Sequence, residues 1–201
     1  MPPSAWEWPS YSMAPAGYCL TFTRGKPANQ MLEAYGTGPV QAQPLAYSEA
    51  VALHHPGASL LLRAGVIGNQ GFCFEQGAIL GLNPQVQAAL SGDSETMTVC
   101  SIPESAMHTL THARNGQPTS MFEVGMKVHP TQTSALSEEA DRLLRAGGKS
   151  HAQIALEVAS AGSVSRSTGR PTSPVCLRPS SCRRRTSRER QLVETTRPHR
   201  L

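Results

Sequence analysis

The sequence predicts an α+β fold: an antiparallel, meander-rich sheet with helices packed on one face over residues 1–159, followed by a disordered basic tail over residues 160–201. Three observations carry this expectation. Short runs of aromatic and β-branched residues follow one another across tight Gly- and Asn-containing turns, and strands so joined pair antiparallel. Helical segments fall between groups of strands rather than after every strand. All ten aromatic residues, Trp6 through Phe122, lie before residue 123, and large rings supply much of the area that a core buries.

Each element has its own justification. Tyr18-Cys-Leu-Thr-Phe-Thr23 reads as a strand that stops at Arg24-Gly25. Pro27 opens a short helix with Met31, Leu32 and Tyr35 on one side and Gly36 as its stop. A second helical segment, Tyr47 to His55, ends at Pro56-Gly57. Leu60–Ile67 and Phe72–Phe74 form a hairpin around Gly68-Asn-Gln-Gly71, whose glycines can take positive φ. Asn83 caps and Pro84 begins a helix with Val86, Ala89 and Leu90 on its apolar face and Gly92 at its end. Thr96–Ile102 and Ala106–Ala113 are strands, and Asn115-Gly116 turns the chain into a further strand, Ser120–Val124. Two helices close the domain. Leu136, Ala140, Leu143 and Leu144 line the first, which Gly147-Gly148 stops. Ser150-His-Ala-Gln153 is a capping box ahead of Ile154, Ala155 and Val158 in the second.

The charge is divided unevenly. Residues 1–150 carry a net −3 and residues 151–201 a net +7, and every basic residue after Lys149 other than histidine is Arg. Residues 160–201 hold 10 Arg, 8 Ser, 5 Thr and 4 Pro and no Lys, Phe, Tyr, Trp, Met or Ile. Such a composition buries too little apolar surface to fold. It also matches the product of a GC-rich gene read out of frame, in which case its charge would carry no function. The first residues, Met-Pro-Pro-Ser-Ala-Trp-Glu-Trp, lack the basic start and apolar stretch of a signal peptide. The most apolar run, Leu60–Ile67, is interrupted by Arg63 and far short of the ~20 residues of a membrane span. A cytoplasmic protein without membrane contact is expected.

Candidate chemistry is sparse. Cys19, Cys73 and Cys100 lie in strand-like apolar runs and read as buried, reduced packing residues. Cys176 and Cys182 match no common zinc or redox spacing. Gly147-Gly-Lys-Ser150 has the end of a phosphate-binding loop but Leu143 where the first Gly belongs, and it follows a helix rather than a strand. It reads as a helix stop followed by a cap. His108 and His112 have a helical metal-pair spacing, yet on a strand they stand ~13 Å apart at ~3.3 Å per residue. His54-His55 reads as a solvated helix end. Trp6, Trp8 and Tyr11 suit either a partner-binding patch or a lead-in over the sheet, and the second is preferred. No serine-hydrolase elbow, zinc-protease or dinucleotide-binding motif occurs. No catalytic residue, metal or cofactor is therefore expected.

Several stretches together resemble an uncharacterised family of small actinobacterial α+β domains. They are the Trp-containing lead-in, Tyr18-Cys-Leu-Thr-Phe-Thr-Arg-Gly25, Leu62-Arg-Ala-Gly-Val66 with Phe72-Cys-Phe-Glu75, and Leu90-Ser-Gly92. His112-Ala-Arg-Asn-Gly116 with Phe122-Glu123 and an alanine-rich helix pair complete them. The resemblance spans residues 6–159 and implies the fold, not an activity. After Ala159 this chain departs from the Ala/Leu-rich continuation that the family carries. A small non-enzymatic interaction or regulatory protein with an unknown protein partner is the leading expectation. The alternative is a nucleic-acid-associated regulator, whose Arg183, Arg184, Arg185, Arg188 and Arg190 contact phosphates without sequence preference.

Overall fold

The computed structural model describes residues 17–37, 43–44, 61–128, 133–164 and 192–195. The strands are β1 (Tyr18–Arg24), β2 (Gln43–Pro44), β3 (Leu61–Ile67), β4 (Gln70–Gln76), β5 (Glu95–Ile102), β6 (Met107–Arg114), β7 (Gln117–Glu123) and β8 (Leu192–Thr195). The helices are α1 (Ala28–Ala34), α2 (Pro84–Ser91), α3 (Ala135–Ala146) and α4 (His151–Val164). The sheet order is β2-β8-β3-β4-β1-β5-β6-β7, and every neighbouring pair is antiparallel. The α+β class and the antiparallel sheet are as the sequence predicts. The proposed helix at 47–55, the lead-in aromatics and the five tail arginines lie outside the described residues. Of residues 160–201, the structure describes 160–164, which extend α4 five residues beyond Ala159, and β8, which pairs with β3.

The helices do not share one face. In β1, Tyr18, Leu20 and Phe22 point to one side and Cys19, Thr21 and Thr23 to the other, and all six are buried. A strand buried on both sides needs a helical layer over each. Tyr18, Leu20, Phe22, Phe74, Met97, Val99, Leu110 and Phe122 form an apolar core with Ala140 and Leu143 of α3 and Ile154, Ala155 and Val158 of α4. Opposite, Met31, Leu32 and Tyr35 of the α1 region and Val86 and Leu90 of α2 pack with Leu62, Ala64 and Cys73. The single helical face that the sequence predicts is thus corrected to two, because Thr and Cys alternate with the apolar side chains of β1 and are buried as well. Here they form the floor of the second layer.

The local signals act as their chemistry requires. Asn83 Oδ1 accepts the Gln85 amide at 2.8 Å at the start of α2. The Asn115-Gly116 turn has φ of +51° and +75° and docks its two amides on the carbonyls of Ser94 and Ser91. The predicted four-residue turn is tighter in fact: Gly68-Asn69 turns the chain, while Gly71 sits inside β4. A Cβ on Gly71 would collide with the Lys26 carbonyl and Met31, so this glycine admits α1 against the sheet. On α2, Ala89 is exposed and Gln87 is buried, which turns the inward face partly polar.

Candidate functional site

The strand register brings together, beneath α1 and α2, side chains that are far apart in sequence. One row across the sheet reads Leu62, Glu75, Cys19, Cys100 and Thr109. The next reads Ala64, Cys73, Thr21, Thr98 and Thr111. Glu75, Cys19, Cys73, Cys100, Thr21 and Thr98 have no exposed surface. Buried polar atoms cost several kcal/mol unless they are hydrogen-bonded, and this layer satisfies its own. Tyr35 Oη donates to Thr21 Oγ1 at 2.8 Å, and the hydroxyls of Thr21 and Thr98 lie 3.0 Å apart. Those of Thr23 and Thr96 lie 2.9 Å apart. Gln87 Nε2 donates to Thr111 Oγ1 at 2.6 Å and to the Gly81 carbonyl at 3.1 Å, tying α2 to the sheet.

Glu75 is the centre of the layer. The 3₁₀ turn Leu80–Leu82 lies against β1 and β5 and aims two amides at this carboxylate. Leu80 N–H donates to Oε2 and Gly81 N–H to Oε1, both at 2.7 Å. Burial raises the Glu75 carboxyl above its ordinary value, and the Gly81 and Leu80 amides oppose that shift. Gly81 has no room for a side chain: a Cβ would stand 2.6 Å from Thr21 Oγ1 and 2.8 Å from both Glu75 Oε1 and Tyr35 Oη. The Cys19 thiol faces two acceptors, the Cys100 sulfur and the Glu75 carboxylate. Burial pushes the Cys19 and Cys73 thiols well up. Cys100 is held below its ordinary value because it accepts the Cys19 hydrogen. All three cysteines are free thiols.

A second cluster lies on the opposite face, at the start of β6. Ser101 Oγ is 3.0 Å from His108 Nδ1, and the rings of His108 and His151 meet edge-on at 5.9 Å between centroids. His151 is the first residue of α4, and Gly125 leaves space for its ring. Burial first, and then His151, lowers the His108 pKa, while Glu123 opposes them. His112 has a different neighbour, Thr119 Oγ1 at 2.7 Å from Nδ1. The two histidines four apart on β6 thus serve separate contacts. The pair that meets is 43 positions apart, and no local pattern marks it. Among the described residues no three His, Cys, Asp or Glu side chains are grouped to hold a metal ion.

Gly147-Gly-Lys-Ser150 joins two helices. Gly147 and Gly148 take φ of +70° and +80°, Ser150 and Gln153 form the reciprocal capping box, and Lys149 pairs with Glu157. No helix among the described residues is long and apolar enough to cross a membrane. Large apolar side chains stay exposed at Val66, Ile67, Ile79, Met121 and Met126. Met121 is on β7, which ends the sheet order. No family model, curated protein or solved structure matches this chain.

Proposed function

We propose that this chain is a small, non-enzymatic, cytoplasmic regulatory protein that binds a protein partner along the outer edge of β7. The observation that carries this reading is the exposure of Met121, 66% accessible on the last strand of the sheet. An edge strand presents backbone donors and acceptors that an extended segment can pair with, and an exposed thioether beside them adapts to varied partner side chains. Pro118 and the register shift at His112/Ala113 interrupt the half of β7 near the turn, which leaves Ser120–Glu123 as the half suited to pairing. The test is affinity capture from source-cell extract with wild type and Met121→Lys. A partner retained by wild type and lost by the variant supports the reading. Capture that the variant leaves unchanged, or no partner above background, overturns it.

A second reading rests on the charge asymmetry alone. The Arg-rich segment around Arg183–Arg190 would bind nucleic-acid phosphates, with affinity that falls steeply as salt rises. Binding insensitive to salt would refute it.

A further inference from the structure

We infer that Cys19 and Cys100 are a redox pair, which hydroperoxides convert to a cross-strand disulfide and thiol reductants restore. The two residues face each other directly in the β1–β5 register. Directly opposed residues of an antiparallel pair have Cα atoms ~4.5–5.5 Å apart, inside the ~4.4–6.8 Å that a disulfide spans. Cys73 belongs to the neighbouring row, opposite Thr21. Its diagonal relation to Cys19 places it at ~7–8 Å, past the limit for bridging without backbone movement. The register therefore selects one pair from the three buried thiols.

The surrounding groups suit the chemistry. Cys100 accepts the Cys19 hydrogen and is the thiol whose ionisation is favoured, which makes it the attacking sulfur. Its thiolate attacks one peroxide oxygen and the O–O bond breaks. The departing oxygen leaves as water or alcohol with the proton that Cys100 released, and Cys100 becomes a sulfenic acid. Cys19 passes its proton to the neighbouring Glu75 carboxylate and attacks the Cys100 sulfur. The S–S bond forms, the S–O bond breaks, and hydroxide leaves as water with that proton. In sum, two thiols and one hydroperoxide give a disulfide, water, and water or alcohol. Both thiols are sealed, and the turn Leu80–Leu82 lies against their strands, so the oxidant enters when that turn lifts. Onset is accordingly slower than at an exposed thiol.

The experiment treats reduced, full-length protein with hydrogen peroxide under conditions where circular dichroism shows it folded. Free thiols are then alkylated, and the protein is digested without reductant for mass spectrometry. A linked peptide pair holding Cys19 and Cys100, reversed by dithiothreitol, with Cys73 recovered alkylated, is the expected result. Cys100→Ala abolishes the link. Wild-type mapping decides the matter even if a variant fails to fold. The inference is overturned if both thiols stay reduced or if either ends as a sulfinic acid. It is equally overturned if the link involves Cys73, Cys176 or Cys182, or if it forms only in unfolded protein.

Discussion

Glu75 shows how a single residue sets the character of one face. Its carboxylate receives two amides at 2.7 Å and fixes the turn that lies against β1 and β5. Replacing it with Gln sets an NH2 group against an amide donor, and a buried donor without an acceptor costs ~1–3 kcal/mol. Because the folded pKa is raised, the native state binds more protons than the unfolded state just above the ordinary carboxylate range. The stabilisation by protonated Glu75 is therefore complete in acid and is lost as pH rises through the folded value. Urea unfolding from acid to neutral pH should show a gap between wild type and Glu75→Gln that narrows with rising pH; a constant gap would contradict it. Gly81→Ala tests the same packing from the turn. Its Cβ falls within 2.8 Å of three oxygens in the layer, so a loss of ~1–3 kcal/mol is expected, as for overpacked cores. An unchanged midpoint would mean that the turn shifts freely.

At the scale of elements, what was legible in the sequence was local and what was missed was pairing at a distance. The Asn-Pro start of α2, the Asn-Gly turn and the Ser150–Gln153 box each act between residues a few positions apart, and each forms as read. Ser150→Ala should cost about 1 kcal/mol by removing the acceptor of the Gln153 amide, measurable as a lower unfolding midpoint. The second helical layer was not legible, because Thr21, Thr23, Thr96 and Thr98 at alternate positions of β1 and β5 look the same whether water or a helix covers them. The Glu75-Cys19-Cys100 row was hidden for the related reason that it depends on which strands become neighbours. The His108–His151 contact joins β6 to α4 in the same way. Its faces bring Ser101 from β5, Glu123 from β7 and His151 from α4. The His108 pKa is lowered in the folded state, so its contribution is present above the ordinary histidine range and is lost as pH falls through the folded value. His108→Gln should flatten that acid-side decline, and an identical pH profile in the variant would exclude the cluster as its source.

For the whole molecule, the decisive division is between residues that build the two-faced sheet and those that carry the positive charge. Among the described residues, β1 to β7 and all four helices lie between Tyr18 and Val164, while the chain beyond holds β8 and ten arginines. β8 pairs only with β3 and β2, and the β3–β4 ladder is complete without it. A chain ending at Val164 should therefore keep its circular dichroism spectrum and unfold cooperatively. The same truncation removes every arginine available for phosphate contact after Arg145, leaving a net-acidic domain. If the basic segment binds nucleic acid, full-length affinity should fall with salt at a log–log slope of roughly −4 to −5 for five phosphate contacts, and the truncated chain should not bind. Loss of folding on truncation would make β8 part of the domain rather than an addition to its edge. Retained binding would move the nucleic-acid surface onto the domain itself, where an acidic net charge opposes it. The two readouts are independent, so one truncation locates both the structural boundary and the functional one.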